Sequence, residues 1–213
     1  MKYSDKFNFS GVQTSGTTAV HVEDEVFIPW QPSTWTEPDG SFLSKLETIF
    51  QSTILDEIGN VVSDAQKANG SLEHRGHVVG LAMLCAIDTL SSYAFLDTEK
   101  EVCETCKRSD GIAGHYIKFI EDFFPDSYKP FAKAIYKKYR NCIVHSWNVF
   151  EVGMLPGDEP IEMQGESLIF GLINFYKALQ ESVENFIESA KTNEEIQKSC
   201  LERYTRLRDS AKP

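Results

Sequence analysis

Apolar residues recur along this chain in two different periods, and the switch between them marks its parts. Phe42, Leu43, Leu46, Ile49, Phe50, Ile54, Ile58 and Val61 follow one another at steps of mostly three and four. That spacing predicts a helix with one buried face. A Pro-Asp-Gly-Ser turn at 38–41 precedes it, and Asn69-Gly70 breaks the pattern after it. From about 73 to 96 the chain is apolar around much of a helix circumference, as in "VVGLAMLCAI" (78–87), which predicts the central, most buried helix. The polar stretch 97–112 reads as a loop. Two further helical runs follow, "AGHYIKFIEDFF" and "SYKPFAKAIYKKYRNCIVH", separated by Pro125.

After His145 the period changes. "WNVFEVGMLPGDEPIEM" (147–163) places a Pro-Gly-Asp turn between two short β-prone pieces and predicts a small hairpin. From Ser167 the helical pattern returns, with Leu168, Leu172, Phe175, Leu179, Val183, Phe186 and Ile187 forming one stripe. Thr192-x-x-Glu195 reads as the capping box of a last helix. Residues 1–38 are rich in Ser, Thr, Gly and Pro and carry one β-prone stretch, "AVHVEDEVFIPW". The expected organisation is a partly extended N-terminal arm, 1–38, and a helical domain, 39–213. The expected fold class is all-α: a bundle of four to five helices with a small β-hairpin insertion.

Bulk properties narrow the classes. A chain of 213 residues with 41% hydrophobic and 12% aromatic content can bury a real core and is not disordered in composition. The net charge of -11 argues against broad adhesion to nucleic acid or an anionic membrane, but leaves room for a local basic groove. The first twenty residues lack the apolar region of a signal peptide, and the run 78–87 stops at Asp88, too short to span a bilayer. Five cysteines, an odd number, then read as reduced thiols. The expectation is a soluble cytoplasmic protein with no membrane association.

The chemistry concentrates in "AIYKKYRNCIVHSW" (134–147). Tyr128, Phe131, Ala132, Ile135, Tyr136, Tyr139, Cys142 and Ile143 make its apolar face. Beside it Lys129, Lys133, Lys137 and Arg140 form a basic stripe, which is either a solvated face or a surface for RNA. Asn141 and His145 are four apart and share a side of the helix. Arg140 and His145 are five apart, roughly 140° around an ideal helix, so a partner copy or local unwinding must bring them together. Histidine can move a proton to or from an RNA 2′-hydroxyl, arginine can hold a phosphate, and asparagine can fix either group. The bland alternative is a histidine that caps the helix carbonyls. Asp88, inside the most apolar helix, needs a partner; Arg140 is one candidate, a lysine or a backbone donor another. Cys103-x-x-Cys106 reads as exposed thiols or, with His115, His74 or His77, as an incomplete metal site.

"YRNCIVHSW" resembles the R-x4-6-H signature of the HEPN superfamily, with a polar residue directly after the arginine. "FFPDSYKPFAKAIYKKYRNCIVHSW" as a whole is similar to bacterial members of that group. The resemblance is specific over about 25 residues and architectural elsewhere. It implies a helical bundle that forms a homodimer around the motif helix. For active members it implies a metal-independent endoribonuclease without cofactor, and it admits a toxin or phage-defence setting with a protein antitoxin or regulatory partner. Arg140 and His145 would then be the catalytic pair and Asn141 the assisting residue. Asp88 would orient Arg140, and Lys133 and Lys137 would bind RNA. The alternative is a non-catalytic HEPN-like dimer that binds a partner protein or a nucleotide.

Overall fold

The computed structural model describes residues 21–22, 25–26, 41–67, 76–96, 111–141, 152–155 and 157–210. The chain divides into a unit of Met1–Trp35 and a unit of Thr36–Pro213. In the first unit β1 (His21–Val22) and β2 (Glu25–Val26) pair antiparallel, with His21 opposite Val26.

The second unit is built on helices, and 79% of the described residues are helical. Its first rod runs without a break through α1 (Ser41–Ile49), a π-helical segment (Phe50–Leu55) and α2 (Asp56–Lys67). Thr48 Oγ1 donates to Ser44 O at 2.9 Å and Ser52 Oγ to Thr48 O at 2.7 Å. Such back-bonding competes with the backbone ladder where the rod widens to π spacing.

The central helix is α3 (Gly76–Ala94), which packs against α4 (Gly111–Phe123), α6 (Leu172–Thr192) and α7 (Glu194–Ser210). By length and composition α3 could cross a membrane, yet half of that window is buried inside the bundle. Met83, Leu84, Ile87 and Leu90 are wholly buried there, each stabilising the fold by roughly 1.5–3 kcal/mol.

The motif helix opens after Pro125 with a 3-10 turn (Lys129–Phe131), in which Pro130 occupies the first turn where an N–H is not needed. It continues through α5 (Ala132–Ala134) and a π-helical segment (Ile135–Arg140). Tyr128, Ala132, Ile135 and Tyr139 are its buried stripe, at steps of four and three.

The β insertion differs from the expected hairpin. β3 (Val152–Leu155) and β4 (Glu162–Gln164) do not pair with each other across the Pro-Gly-Asp turn. Instead β5 (Ser167–Gly171) lies between them, parallel to β3 and antiparallel to β4. The tight turn is at Gly165-Glu166, where Gly165 takes φ +63°. The segment from Ser167 is therefore a strand before it is a helix, and α6 starts only at Leu172. The reason is a coincidence of periods. Leu168 and Phe170 alternate as buried strand positions, while Leu168 to Leu172 also satisfies the helical step of four.

Backbone carbonyls seal the start of α6. Gly171 N donates to Glu159 O and Ile173 N to Gly157 O, both at 3.0 Å. That close approach requires a glycine, because a Cβ at Gly171 would run into the backbone of residues 157 and 159. The capping box predicted at Thr192 is also displaced. Asn193 Oδ1 accepts from Glu195 N at 2.9 Å and caps α7, while Thr192 Oγ1 turns back to Glu188 O and Ser189 O.

A line of aromatic rings fixes the motif helix. Phe124 meets Phe175 at 6.0 Å, Phe175 meets Phe170 at 4.6 Å, and Phe170 meets Tyr139 at 4.3 Å between centroids. The Tyr139 hydroxyl donates toward Leu168 O at 2.9 Å and Gly153 O at 3.0 Å, one proton shared between β5 and β3. Burial pushes its pKa up, so it remains a donor. Tyr139→Phe keeps the ring and removes the clamp. It should lower unfolding stability by about 1–2 kcal/mol in urea titrations, with the earliest loss of amide protection in β3.

Candidate functional site

Tyr139 and Arg140 are consecutive, so the clamp on one sets the direction of the other. Arg140 Nε donates to Asp88 Oδ2 at 3.0 Å, linking the end of the motif helix to the middle of α3. The pair is largely withdrawn from solvent, with side chains 16% and 25% exposed for Arg140 and Asp88. Arg140 Nη1 donates to Asn141 Oδ1 at 3.3 Å, and the guanidinium lies over the Tyr136 ring at 5.6 Å from its centroid. Three neighbours thus hold the plane of the arginine: a carboxylate, an amide and an aromatic face.

Of the residues singled out in the sequence, Asp88, Arg140 and Asn141 come together here. Lys133 and Lys137 are exposed on the motif helix, a turn or two away. His145 lies outside the described residues, as do Cys103, Cys106, Cys142 and His74. His115 is buried in α4 with its ring 5.7 Å from that of Phe95, in a packing position rather than at the arginine. Among the described residues no group of three or more His, Cys, Asp and Glu side chains is arranged to hold a metal ion. An open cleft of about 310 Å3 lies elsewhere, between Pro125–Tyr128, Pro160–Ile161 and Lys177–Glu181, and none of the expected site residues lines it.

The structure adds two residues that sequence reasoning passed over. Tyr116 of α4 is fully buried, its ring 5.3 Å from Tyr136. Its hydroxyl and Asp88 Oδ1 are both buried without a hydrogen-bond partner among the described residues. Burial pushes the Tyr116 pKa well up, Asp88 pushes it further and Arg140 opposes them, so the hydroxyl stays neutral. Cys85, on the exposed side of α3, stands one turn before Asp88; partial desolvation of its thiol and then Asp88 raise its pKa, Arg140 opposes them, and the net rise leaves it a thiol rather than a nucleophile. The signal for Tyr116 was present in "GHYIKFI" as a polar-tipped aromatic on an apolar face, but nothing in the spacing ties it to residue 88 or 140.

No protein-family model matches this chain, and neither a curated protein nor a solved structure was found to be similar to it.

Removing one partner of a withdrawn ion pair leaves the other charge uncompensated. Asp88→Leu should therefore cost about 2–3 kcal/mol of unfolding stability, and so should Arg140→Met. The double variant should recover most of the loss, giving a coupling of at least 1 kcal/mol in a double-mutant cycle.

Proposed function

We propose that this chain is a HEPN-like, metal-independent endoribonuclease that cleaves RNA by attack of the 2′-hydroxyl on the adjacent phosphate. The observation that carries the reading is the three-sided hold on Arg140 by Asp88, Asn141 and Tyr136 at the end of the helix bearing the Arg-Asn…His motif. An arginine used only for solubility is not oriented this way. In this reading Arg140 binds the scissile phosphate and stabilises the charge that grows on it. Asp88 is a positioning residue, Asn141 assists at the phosphate, and His145 moves the proton. Lys133 and Lys137, exposed along the same helix, hold the flanking RNA backbone. A second copy across a two-fold axis completes the site. Side chains alone accomplish this proton transfer and charge stabilisation, so no cofactor enters the scheme.

A second reading has its own support. The chain carries a net charge of -11, and Asp88 offsets the charge of Arg140. Both suit a non-catalytic HEPN-like dimer that binds a partner protein or a nucleotide.

Purified protein should cut single-stranded RNA in the presence of EDTA and leave 2′,3′-cyclic phosphate ends. Arg140→Ala and His145→Ala should each lower the rate by about 10²–10³-fold or more, without additivity in the double variant. Lys133→Glu and Lys137→Glu should weaken RNA binding and reduce its salt slope by about one each. Dimeric protein that cleaves no RNA under these conditions would favour the binding module, and a monomer at micromolar concentration would contradict the composite site.

A further inference from the structure

On the other side of α3, where α7 crosses its last turn, stands an arginine in the opposite condition from Arg140. Arg203 is half-buried, its Nε fully so, and nothing among the described residues pairs with it. Ser199, one turn earlier on the same face of α7, is 1% exposed, and its hydroxyl also lacks a partner among the described residues. The crossing is tight at this level. Cys200 Sγ donates to Tyr93 O at 3.6 Å, and the Tyr93 ring meets Phe50 edge-on at 5.4 Å.

Among the described residues no negative side chain pairs with Arg203. Burial raises the Tyr93 pKa first; Arg203 is the charged group that acts on it, with Cys200 and Tyr204 the remaining influences. The Cys200 thiol is pushed up to about 12 by burial, so it too is neutral. Glu202, the adjacent acid, is engaged with Arg206 Nη2 at 2.7 Å. What remains is one guanidinium with two neutral hydroxyl-bearing neighbours. In a chain with eleven excess negative charges, a half-buried cation without a carboxylate partner among the described residues is a costly arrangement.

We propose that Arg203, Ser199 and Tyr93 form a binding site for a small tetrahedral oxyanion of phosphate type. The guanidinium supplies a planar fork and fixed charge, and Ser199 and Tyr93 supply hydroxyl donors that remain protonated. Such an anion would meet the unsatisfied Nε and the unsatisfied serine together. It would also cross-link α3 and α7, and so stabilise the fold in proportion to its occupancy.

The test is thermal unfolding of the full chain in sodium chloride, acetate and inorganic phosphate at matched ionic strength and pH. Phosphate at ten times its Kd should raise the Tm by about 4 °C, and acetate should not. Arg203→Met should fold at least as stably in chloride and lose the phosphate shift. Ser199→Ala, which leaves the cation in place, should retain a smaller one. Equal melting in all three salts would overturn the site and leave the last turn of α3, or a buried water, as the balance for Arg203. An undiminished phosphate shift in Arg203→Met would overturn it as well, and so would a shift reproduced by acetate.

Discussion

The geometry of this protein turns on two consecutive residues of the motif helix that are bonded in different directions. Tyr139 reaches into the sheet and shares its hydroxyl proton between Leu168 O and Gly153 O. Arg140 reaches across to Asp88 on α3. A helix held at neighbouring positions by a sheet and by another helix cannot rotate about its axis without breaking one contact or the other. The aromatic line through Phe170, Phe175 and Phe124 presses the same helix into place with apolar area, which resists tilting. The polar bonds define direction and the rings define position.

That division also explains which features were legible in the sequence. The helices of the second unit could be read because burial on one face imposes a repeat of 3.6, and Met83, Leu84, Ile87 and Leu90 obey it in α3. The Asp88–Arg140 contact was legible as a need rather than as a location: an acid among apolar neighbours requires a cation, and few cations lie on buried faces. The strand β5 was not legible. Leu168, Phe170 and Leu172 satisfy period two and period four together, and the choice falls to pairing with β3 and β4, which are distant in local pattern. Asn193 outcompeted Thr192 as the cap because α6 runs on through Thr192 itself, past the last residues of its apolar stripe at Phe186 and Ile187. Tyr116 stayed hidden because only the packing of α4 on the motif helix brings it beside Tyr136.

Arg140 and Arg203, both half-buried, show how a strongly acidic chain distributes its positive charge. Among the described residues several basic groups pair locally at the surface, as in Lys118–Asp122, Lys191–Glu188 and Arg206–Glu202, and pairs of that kind add little stability. Arg140 is held by a carboxylate that is itself half-satisfied, since Asp88 Oδ1 accepts nothing among the described residues. Arg203 has no carboxylate partner among the described residues. The first arrangement suits an arginine that must be aimed, and the second suits one that waits for its counterion from outside. Both lie against α3, whose apolar length lowers the local dielectric and magnifies every charge placed beside it.

Asp88 and the Tyr139 clamp together immobilise the Arg140 guanidinium, and nitrogen-15 NMR of the arginine Nε–H groups reads that immobilisation at the bond itself. The Arg140 Nε–H should give a sharp, downfield signal at neutral pH that exchanges with water slowly. It should broaden or vanish in Asp88→Ala and also in Tyr139→Phe, where the carboxylate is intact but the helix is free to turn. An Arg140 signal that exchanges as fast as those of the exposed arginines, or one unmoved by either substitution, would contradict the account.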